Sequence, residues 1–511
     1  MVAEIEESAA MDAPSPPVAS RLERALTVRA RSVLATIIVL FIVVHVGRIG
    51  RVLLNGDGNF YLSGAMRIAN GDLPFSRYSP GFPLLLSPSA VVFDGSPRTL
   101  FFVVGFVNIA VSVAAIVMLR QFLRRYLSEA VTLALVAVFA LGETATNVLV
   151  GTEVEPLALL LVVLTLVALQ RERTWLAVTT TAVAGMCRIA LVPFFGVLWV
   201  VRWRRSPRQS PVAVALLGLD AVTYLALSRQ GGYVGIAGRV YSGAHDGGSG
   251  AAAGLLEIVP DHLVRYSRLG WPSVLWPSKV LSTPPGYVLG AATFLCMVVG
   301  AAVLLRRRSE VADDGVLRPA LLGTAAYVLL LWFWPANDGA VLRLSTPLAP
   351  LALLAAVVGA RHLAGLVSLR RPAEAIAAVA VLGVAFTVAV AASAGLVATK
   401  RHTDGRVADF VSATRRAADL APPGPFLSLS PGIAQVASGR QVVAYDRDVT
   451  GEEARQLAER SGACTVVVSS VQGRPERLDA FLRQSDRASV LVAVGGTSVF
   501  TLIEPWCLDS G

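Results

Sequence analysis

Lysine is almost absent from this 511-residue chain. Only Lys279 and Lys400 occur, so nearly all of the 45 basic residues are arginine. Charged residues are scarce as well, at 16% of the chain, whereas soluble proteins carry roughly a quarter. Because 54% of the residues are hydrophobic, the composition excludes an ordinary soluble domain.

Recognisable soluble-enzyme and metal motifs are absent too. The four cysteines, Cys187, Cys296, Cys464 and Cys507, have no metal-ligand spacing, and the first two lie in apolar runs. Cys464 and Cys507 can pair if their segment lies outside the cell, which the spacing does not decide. No Walker loop, HExxH motif or Ser-His-Asp spacing occurs.

The formal net charge of +10 does not indicate nucleic-acid binding. The arginines stand in short clusters between apolar runs, which is the pattern of cytoplasmic loops that anchor a helix bundle. We therefore expect the membrane, and no nucleic acid, among the partners.

The apolar runs predict a polytopic helical membrane protein. Runs of about 17 to 25 residues cross the hydrocarbon layer as helices. The first span is predicted at 32–54, as a retained helix rather than a cleaved signal peptide. The other predicted spans, eleven in all with the first, are 99–119, 129–143, 154–170, 174–187, 189–201, 211–228, 284–305, 317–334, 341–360 and 374–397.

Orientation depends on the short pair 174–187 and 189–201. If these runs formed one long span, every later loop would change sides. Two separate helices place the N-terminus and all five arginine clusters on the cytoplasmic side, as the positive-inside rule favours. These clusters are Arg120/124/125, Arg171/173, Arg202/204/205/208, Arg306/307/308 and Arg361/370/371.

The predicted organisation has three parts. Residues 1–31 form a cytoplasmic tail that is expected to be disordered, 32–397 a transmembrane domain, and 398–511 an extracytoplasmic domain. Loops 55–98 and 229–283 face outward in this topology. In 402–511, charged helical stretches alternate with β-rich runs, which predicts a small α/β domain. We expect an accessory or docking role for that domain, because it has no phosphate-binding glycine loop.

The segment 55–88 is the most informative part of the chain. It follows the first span, and Asp57 is its only acid before Asp72. The matched positions are Asp57, Tyr61, Leu62, Ala65, Gly71, Pro74, Pro80, Gly81, Pro83 and Leu84 to Leu86. This pattern resembles the GT-C class of membrane glycosyltransferases, in the branch of protein mannosyltransferases, lipid A aminoarabinose transferase and lipopolysaccharide glycosyltransferases.

Two weaker similarities extend the resemblance. TEVEPLALLL at 152–161 resembles the outward-facing acid at the start of span four in that class, and LRLSTPLAPLALLAA at 342–356 resembles its Arg-x-x-x-P-x-x-P span. The resemblance implies a sugar donor on a polyprenyl phosphate, a lipid, glycan or protein acceptor, and a reaction at the outer membrane face. Localisation in the cytoplasmic membrane follows from the same resemblance.

The resemblance also suggests roles for individual residues. Asp57 is the expected general base for the acceptor hydroxyl, and the alternative is a helix cap near Asn59. Glu153 and Glu155 are expected to orient the acceptor or to share a divalent cation with Asp57, or else to cap a helix. No metal or other cofactor is assigned with certainty.

Three arginines and two tyrosines complete the candidate site. We expect Arg188, Arg343 and Arg77 to bind the donor phosphate, because a guanidinium fork suits phosphate oxygens. The alternative for Arg188 is snorkelling to the interface. Tyr61 and Tyr78 are expected to bind substrate.

Two other functions compete with sugar transfer. A transporter or lipid flippase would show ionisable residues in mid-span and an internal repeat, whereas the spans here are nearly free of charge. A scaffold that presents the C-terminal domain would not need Asp57, Arg188 and Arg343 at one face. The sugar and the acceptor stay open.

Overall fold

The fold was analysed in a computed structural model of the chain. It describes residues 24–25, 27–46, 56–69, 71, 79–92, 97–142, 145, 148–149, 153–227, 259–306, 315–333, 338–366, 409–440, 442–445, 449–469 and 475–503. These residues are mainly α-helical, and a small β-sheet lies near the C-terminus.

Apolar helices form the body of the molecule, because long runs without charge leave only the helix to satisfy the backbone. They are α1 (Ala30–Val46), α2 (Gly56–Ala69), α3 (Gly81–Val92), α4 (Pro97–Leu123), α5 (Glu129–Leu141), α6 (Glu155–Gln170), α7 (Thr174–Cys187), α8 (Val192–Arg202), α9 (Gln209–Leu227), α10 (Pro284–Arg306), α11 (Leu317–Trp332), α12 (Asp338–Ser345) and α13 (Ala349–Leu366). Short turns of helix lie at Ile189–Leu191, Tyr266–Gly270, Pro272–Val274, Ser278–Leu281 and Thr346–Leu348.

The predicted spans correspond to helices wherever the structure describes them. Among the described residues, 4 helical stretches are long and apolar enough to cross a membrane: Phe102–Leu123, Gln209–Ala226, Pro284–Arg306 and Val341–Gly365. Shorter apolar helices occupy the other predicted spans. The predicted span 374–397 lies outside the described residues.

The short pair forms two separate helices. Helix α7 ends at Cys187, and Arg188 then takes an extended conformation (φ −147°, ψ 94°) before the turn at Ile189–Leu191. The indole nitrogen of Trp199 in α8 donates to the hydroxyl of Thr181 in α7 at 3.0 Å. Helix α8 therefore folds back along α7.

The arginine-rich turns gather at one end of the bundle. Arg171, just after α6, donates to Gln121 near the end of α4 at 2.7 Å. Arg202, at the end of α8, donates to the carbonyl of Gly315, just before α11. Because Glu155 begins α6 and Arg188 follows α7, these two residues lie at the opposite end.

Two glycines allow α10 and α13 to cross closely. A Cβ atom on Gly300 would lie 1.8 Å from the carbonyl oxygen of Ala355, and one on Gly359 would lie 1.8 Å from that of Cys296. Such backbone contact between small residues is typical of membrane helix pairs. It fixes α13, which the turn Thr346–Leu348 joins to α12, the helix that contains Arg343.

The C-terminal part is a mixed five-stranded sheet. Its strands are β1 (Phe426–Ser428), β2 (Val442–Ala444), β3 (Thr465–Ser469), β4 (Ala488–Val494) and β5 (Thr497–Leu502). The strand order is β2-β1-β3-β5-β4, with β1 parallel to β2 and β3 and the remaining pairs antiparallel. All five predicted β-rich runs contain a strand.

Four helices accompany the sheet. They are α14 (409–420), α15 (Pro431–Ser438), α16 (Gly451–Ser461) and α17 (Glu476–Gln484). Thr450 and Glu453 form a reciprocal capping box at the start of α16. Cys464 is disulfide-bonded, while the predicted partner Cys507 lies outside the described residues.

The sheet domain packs directly on helix α2. One apolar cluster contains Tyr61, Leu62 and Ala65 of α2 together with Ile433 and Ala434 of α15. The side-chain amide of Gln435 also donates to the sulfur of Met66 at 3.7 Å. The helix that carries Asp57 is therefore held from the side of the C-terminal domain.

Candidate active site

Two buried glutamates stand at the start of α6. Glu155 is the first residue of this helix and precedes Pro156, which suits the first turn because proline lacks an N–H group. Only 1% of Glu153 and 0% of Glu155 is exposed. Buried carboxylates need compensating charge or hydrogen bonds, so their partners decide what this site is.

Arg188 supplies one partner. Its guanidinium nitrogen lies 2.6 Å from a carboxylate oxygen of Glu155, and the arginine is itself buried. The extended backbone at Arg188, between α7 and the turn that leads to α8, directs this residue into the bundle instead of along a helix. Arg188 thus pairs with a carboxylate inside the bundle, which argues against the snorkelling alternative.

Arg343 supplies the second partner from a distant part of the chain. It lies in the last turn of α12, pairs with Glu153, and reaches Glu155 at 3.1 Å. Its side chain remains 19% exposed. The structure thus joins two arginines and two glutamates that the sequence analysis placed in the same site.

The four side chains form a cluster with no net charge. Removing two carboxylates and two guanidiniums from water is costly, and well-packed apolar residues of similar volume often stabilise a protein as much. Stability alone therefore does not account for the cluster. Because burying its charge is costly, an arginine buried near the membrane boundary is a candidate for a functional role.

Neutral polar groups fix the backbone around the cluster. The hydroxyl of Tyr327 donates to the carbonyl of Leu344 at 2.7 Å, next to Arg343. The amide of Asn108 donates to the carbonyl of Glu153 at 3.0 Å. Sequence reasoning missed these residues, although a polar side chain within an apolar helix was a signal that could have found them.

The backbone at Ile189 is held in a similar way. Its N–H group donates to the hydroxyl of Ser79 at 3.0 Å. Ser79 belongs to the segment after the first span, whereas Ile189 follows Arg188. This hydrogen bond ties the segment after the first span to the turn that carries the buried arginine.

Asp57 lies in the first turn of α2. The helix begins at Gly56 rather than near Asn59, and the Asp57 side chain lies outside the described part of the structure. Asp57 and Tyr61 are four positions apart, so they share one helix face. Tyr61 belongs to the same apolar cluster as Val154 and Cys187, which are neighbours of Glu153, Glu155 and Arg188.

Tyr61 has a packing role in the ligand-free structure. It is buried, and its ring meets that of Phe82 edge-on at a centroid distance of 5.3 Å. The prediction that Tyr61 binds substrate is therefore untested, and its visible role is to seat α2 on α3. Arg77 and Tyr78 lie outside the described residues.

The described part of the site does not fit a divalent cation. No group of three or more histidine, cysteine, aspartate or glutamate side chains occurs within the described ranges. Both Glu153 and Glu155 face guanidinium groups, which would repel a cation.

Asp220 is an acid that the sequence analysis overlooked. It lies within the candidate span Gln209–Ala226. A Cβ atom on Gly185 would come within 2.5 Å of its carboxylate, so the glycine makes room for it. The expectation of nearly charge-free spans thus has one clear exception among the described helices, about one turn from Arg188.

Comparison with solved structures identifies the architecture. The crystal structure of ArnT from Cupriavidus metallidurans in the apo state matches with a TM-score of 0.51 and 13% identity, over 95% of this chain and 99% of that one. The same protein bound to undecaprenyl phosphate matches with a TM-score of 0.49 and 14% identity, over 94% and 99%.

An archaeal structure has a similar fold. The Archaeoglobus fulgidus oligosaccharyltransferase, in complex with Zn and sulfate, matches with a TM-score of 0.50 and 14% identity, over 86% of this chain and 68% of that one. No family model and no curated protein sequence matches the chain. The chain has the fold of the GT-C membrane glycosyltransferases.

Proposed function

We propose that this protein is a membrane glycosyltransferase that moves a sugar from a polyprenyl-phosphate donor to a cell-envelope acceptor. The main support for this proposal is that Glu155, Arg188 and Arg343 meet at one end of the bundle. Helix α2, which contains Asp57, packs into the same region. The glycosyltransferase fold supports the class of reaction.

The proposed topology has eleven spans and a cytoplasmic N-terminus. The tail is 1–31, the transmembrane domain 32–397 and the extracytoplasmic domain 398–511, in the cytoplasmic membrane. Contacts of Arg171 and Arg202 at the end opposite Glu155 support this orientation. The reaction then takes place at the outer face.

Asp57 is the proposed general base. The acceptor hydroxyl oxygen attacks the anomeric carbon while the bond from that carbon to the phosphate oxygen breaks. The hydroxyl proton passes to Asp57, and the polyprenyl phosphate leaves with the bonding electrons. A weak hydroxyl nucleophile benefits from such a base, and the position of Asp57 at the first turn of α2 allows a carboxylate there.

Arg343 is the proposed contact to the leaving phosphate. Its partial exposure allows an anion to reach it, whereas Arg188 is covered. A phosphate in this position would compete with Glu153 for the guanidinium, and would stabilise the charge that develops on the leaving oxygen. Glu153 and Glu155 would then be available to orient the acceptor.

Arg188 is then a positioning residue in our proposal. It pairs with Glu155 at 2.6 Å, and Glu155 in turn contacts Arg343. This chain of contacts sets where the Arg343 guanidinium rests before the donor binds. Arg77 and Tyr78 remain proposed contacts to the donor headgroup, and Tyr61 a proposed contact to substrate.

Sugar transfer is tested with the full-length protein in membranes. A panel of polyprenyl-phosphate sugars is offered, and transfer by the wild type is compared with transfer by Asp57→Asn. We expect one donor to be used by the wild type and transfer to be lost in the variant. A folded Asp57→Asn protein with undiminished transfer would remove Asp57 from the mechanism.

The same experiment addresses the transporter or flippase alternative. Asp220 lies in mid-span, as the transporter alternative predicts. It has no basic partner among the described residues. Movement of an intact labelled polyprenyl-phosphate sugar across the membrane, without cleavage of the sugar–phosphate bond, would favour transport over transfer.

A further inference from the structure

Tyr266 carries a buried hydroxyl that the proposed mechanism does not yet use. The residue is 0% exposed. Among the residues that the structure describes, its hydroxyl has no hydrogen-bond partner. Buried polar groups are nearly always paired in native proteins, and an exception calls for an explanation.

The backbone around Tyr266 is unusual as well. Residues Tyr266–Gly270 form a single π-helical turn. Such turns are rare and occur frequently at functional sites. The Ser345 hydroxyl donates to the carbonyl of Gly270 at 2.8 Å, so this turn is fastened to the end of α12, where Arg343 lies.

The hydroxyl lies beside the charged cluster. Tyr266 is within electrostatic range of both Arg188 and Tyr327. Val341, two residues before Arg343, packs against Gly270 at the other end of the π-helical turn. The side chain therefore belongs to the wall of the site rather than to a remote part of the core.

Tyr327 provides an internal comparison. Both tyrosines are 0% exposed and both lie near Arg188. The hydroxyl of Tyr327 donates to the carbonyl of Leu344 at 2.7 Å, whereas that of Tyr266 donates to no described group. The two tyrosines therefore differ in whether the hydroxyl has a described partner, and not in their burial or in the charge near them.

A ligand that pairs with both this hydroxyl and a guanidinium group must accept hydrogen bonds. The tyrosine hydroxyl can donate or accept, whereas the neighbouring guanidinium groups only donate, so the group that suits both is an anionic oxygen with several lone pairs. A phosphoryl group has this character and takes charge-assisted hydrogen bonds.

We infer that Tyr266 is a substrate-binding residue whose hydroxyl donates to a phosphate oxygen of the lipid-linked donor beside Arg343. The inference rests on the proposed function, because that function supplies the phosphate. The hydroxyl is covered and has no partner among the described residues. Binding of the donor moves the Arg343 side chain, which is partly exposed, and gives the Tyr266 hydroxyl its partner.

Thermal unfolding of the full-length protein tests the inference in two steps. Without ligand, Tyr266→Phe removes an unpaired hydroxyl, so we expect the unfolding midpoint to rise by about 1–3 °C. Tyr327→Phe removes a hydroxyl that makes a hydrogen bond, so its midpoint should fall. A lower midpoint in Tyr266→Phe would show that the hydroxyl has a partner and would overturn the inference.

The second step adds a polyprenyl phosphate without sugar as the probe. The unfolding midpoint of the wild type should rise with the concentration of the lipid. The dissociation constant for the lipid should be about tenfold larger in Tyr266→Phe. Inorganic phosphate at the same concentration should produce no rise. In transfer assays, the donor KM of Tyr266→Phe should increase while the acceptor KM stays constant.

The outcomes separate this inference from the proposed function. Equal lipid affinity in the wild type and Tyr266→Phe would overturn the role of Tyr266 and leave the function standing. No lipid-dependent rise in the wild type would overturn the polyprenyl-phosphate donor, and the role of Tyr266 with it. A rise with inorganic phosphate equal to that with the lipid would overturn the lipid as the source of the phosphate.

Discussion

Arg343 and Glu155 lie 3.1 Å apart although 188 positions separate them in the chain. Their contact joins the last turn of α12 to the first residue of α6. Arg188 reaches the same glutamate from the turn after α7. Three separate parts of the sequence thus meet at one carboxylate, at the end of the bundle away from the arginine-rich turns.

The effects of substituting Glu155 and Arg188 on the free energy of unfolding should not be additive. Glu155→Leu leaves the Arg188 charge buried without this carboxylate, which we expect to lower the free energy of unfolding by about 3–5 kcal/mol. The double variant Glu155→Leu/Arg188→Leu should recover most of that loss, since neither charge is then buried. Denaturant unfolding of the two variants and of Arg188→Leu measures the coupling.

A surface pair serves as the control for that cycle. Asp261 and Arg265 pair at 2.8 Å one helical turn apart, and both side chains are exposed. Asp261→Ala should cost about 0–1 kcal/mol. If the double variant at Glu155 and Arg188 is no more stable than the single ones, the cluster is not held by this pair.

Asp57→Asn should abolish transfer without preventing donor binding. Loss of a general base typically reduces the rate by about 10²–10⁴-fold, and asparagine keeps the size of the side chain. Single-turnover transfer and lipid binding are measured on the same preparation. Asp72→Asn, later in the same segment, is the matched control and should keep the wild-type rate.

Arg343→Ala should raise the donor KM more than the acceptor KM. The alanine variant loses the guanidinium that the leaving phosphate contacts. Arg343→Lys keeps a charge but not the planar fork, so its donor KM should lie between those of the wild type and Arg343→Ala. Arg171→Ala changes an arginine at the other end of the bundle and should leave both values unchanged. Equal donor affinity in Arg343→Ala and wild type would contradict the proposed role.

Helix α2 should be held in place by the C-terminal domain. Ile433→Ala removes a buried side chain from the cluster that α15 shares with α2. Leu482→Ala removes a comparable volume from the separate cluster on the other side of the sheet. Each substitution is expected to cost about 2–5 kcal/mol locally.

Hydrogen exchange distinguishes the two variants. Amides in 56–69 should exchange faster in Ile433→Ala than in the wild type, because α2 loses its support. They should be unaffected in Leu482→Ala, which weakens the domain without touching α2. Equal protection of 56–69 in all three proteins would mean that the domain does not position this helix.

The residue types of the site were predictable one at a time. Glu153, Glu155, Arg188 and Arg343 stand out because charge is rare in apolar runs and because they match a family pattern. Their pairing was not predictable, since nothing near Arg188 or Arg343 in the sequence indicated that both contact Glu155. Ion pairs between distant positions depend on helix packing, which local patterns do not contain.

Other residues show where local reasoning fails. His262 belongs to the predicted outward loop 229–283, but it is buried and its Nδ1 lies 3.2 Å from the carbonyl of Trp332. Asp220 was hidden inside an apolar run, and Tyr266 looked like an ordinary loop aromatic. Each owes its character to neighbours contributed by other helices.

The sequence by itself determined the class of the protein. Long apolar runs require helices in a membrane because the backbone has no other way to satisfy its hydrogen bonds there, and alternation of β-rich and charged stretches required the small mixed sheet. The tertiary structure alone decided which charges meet, which buried hydroxyl has no partner among the described residues, and which domain supports α2. Those outcomes follow from side chains brought together across the bundle, where burial makes each missing or completed partner matter far more than it would in water.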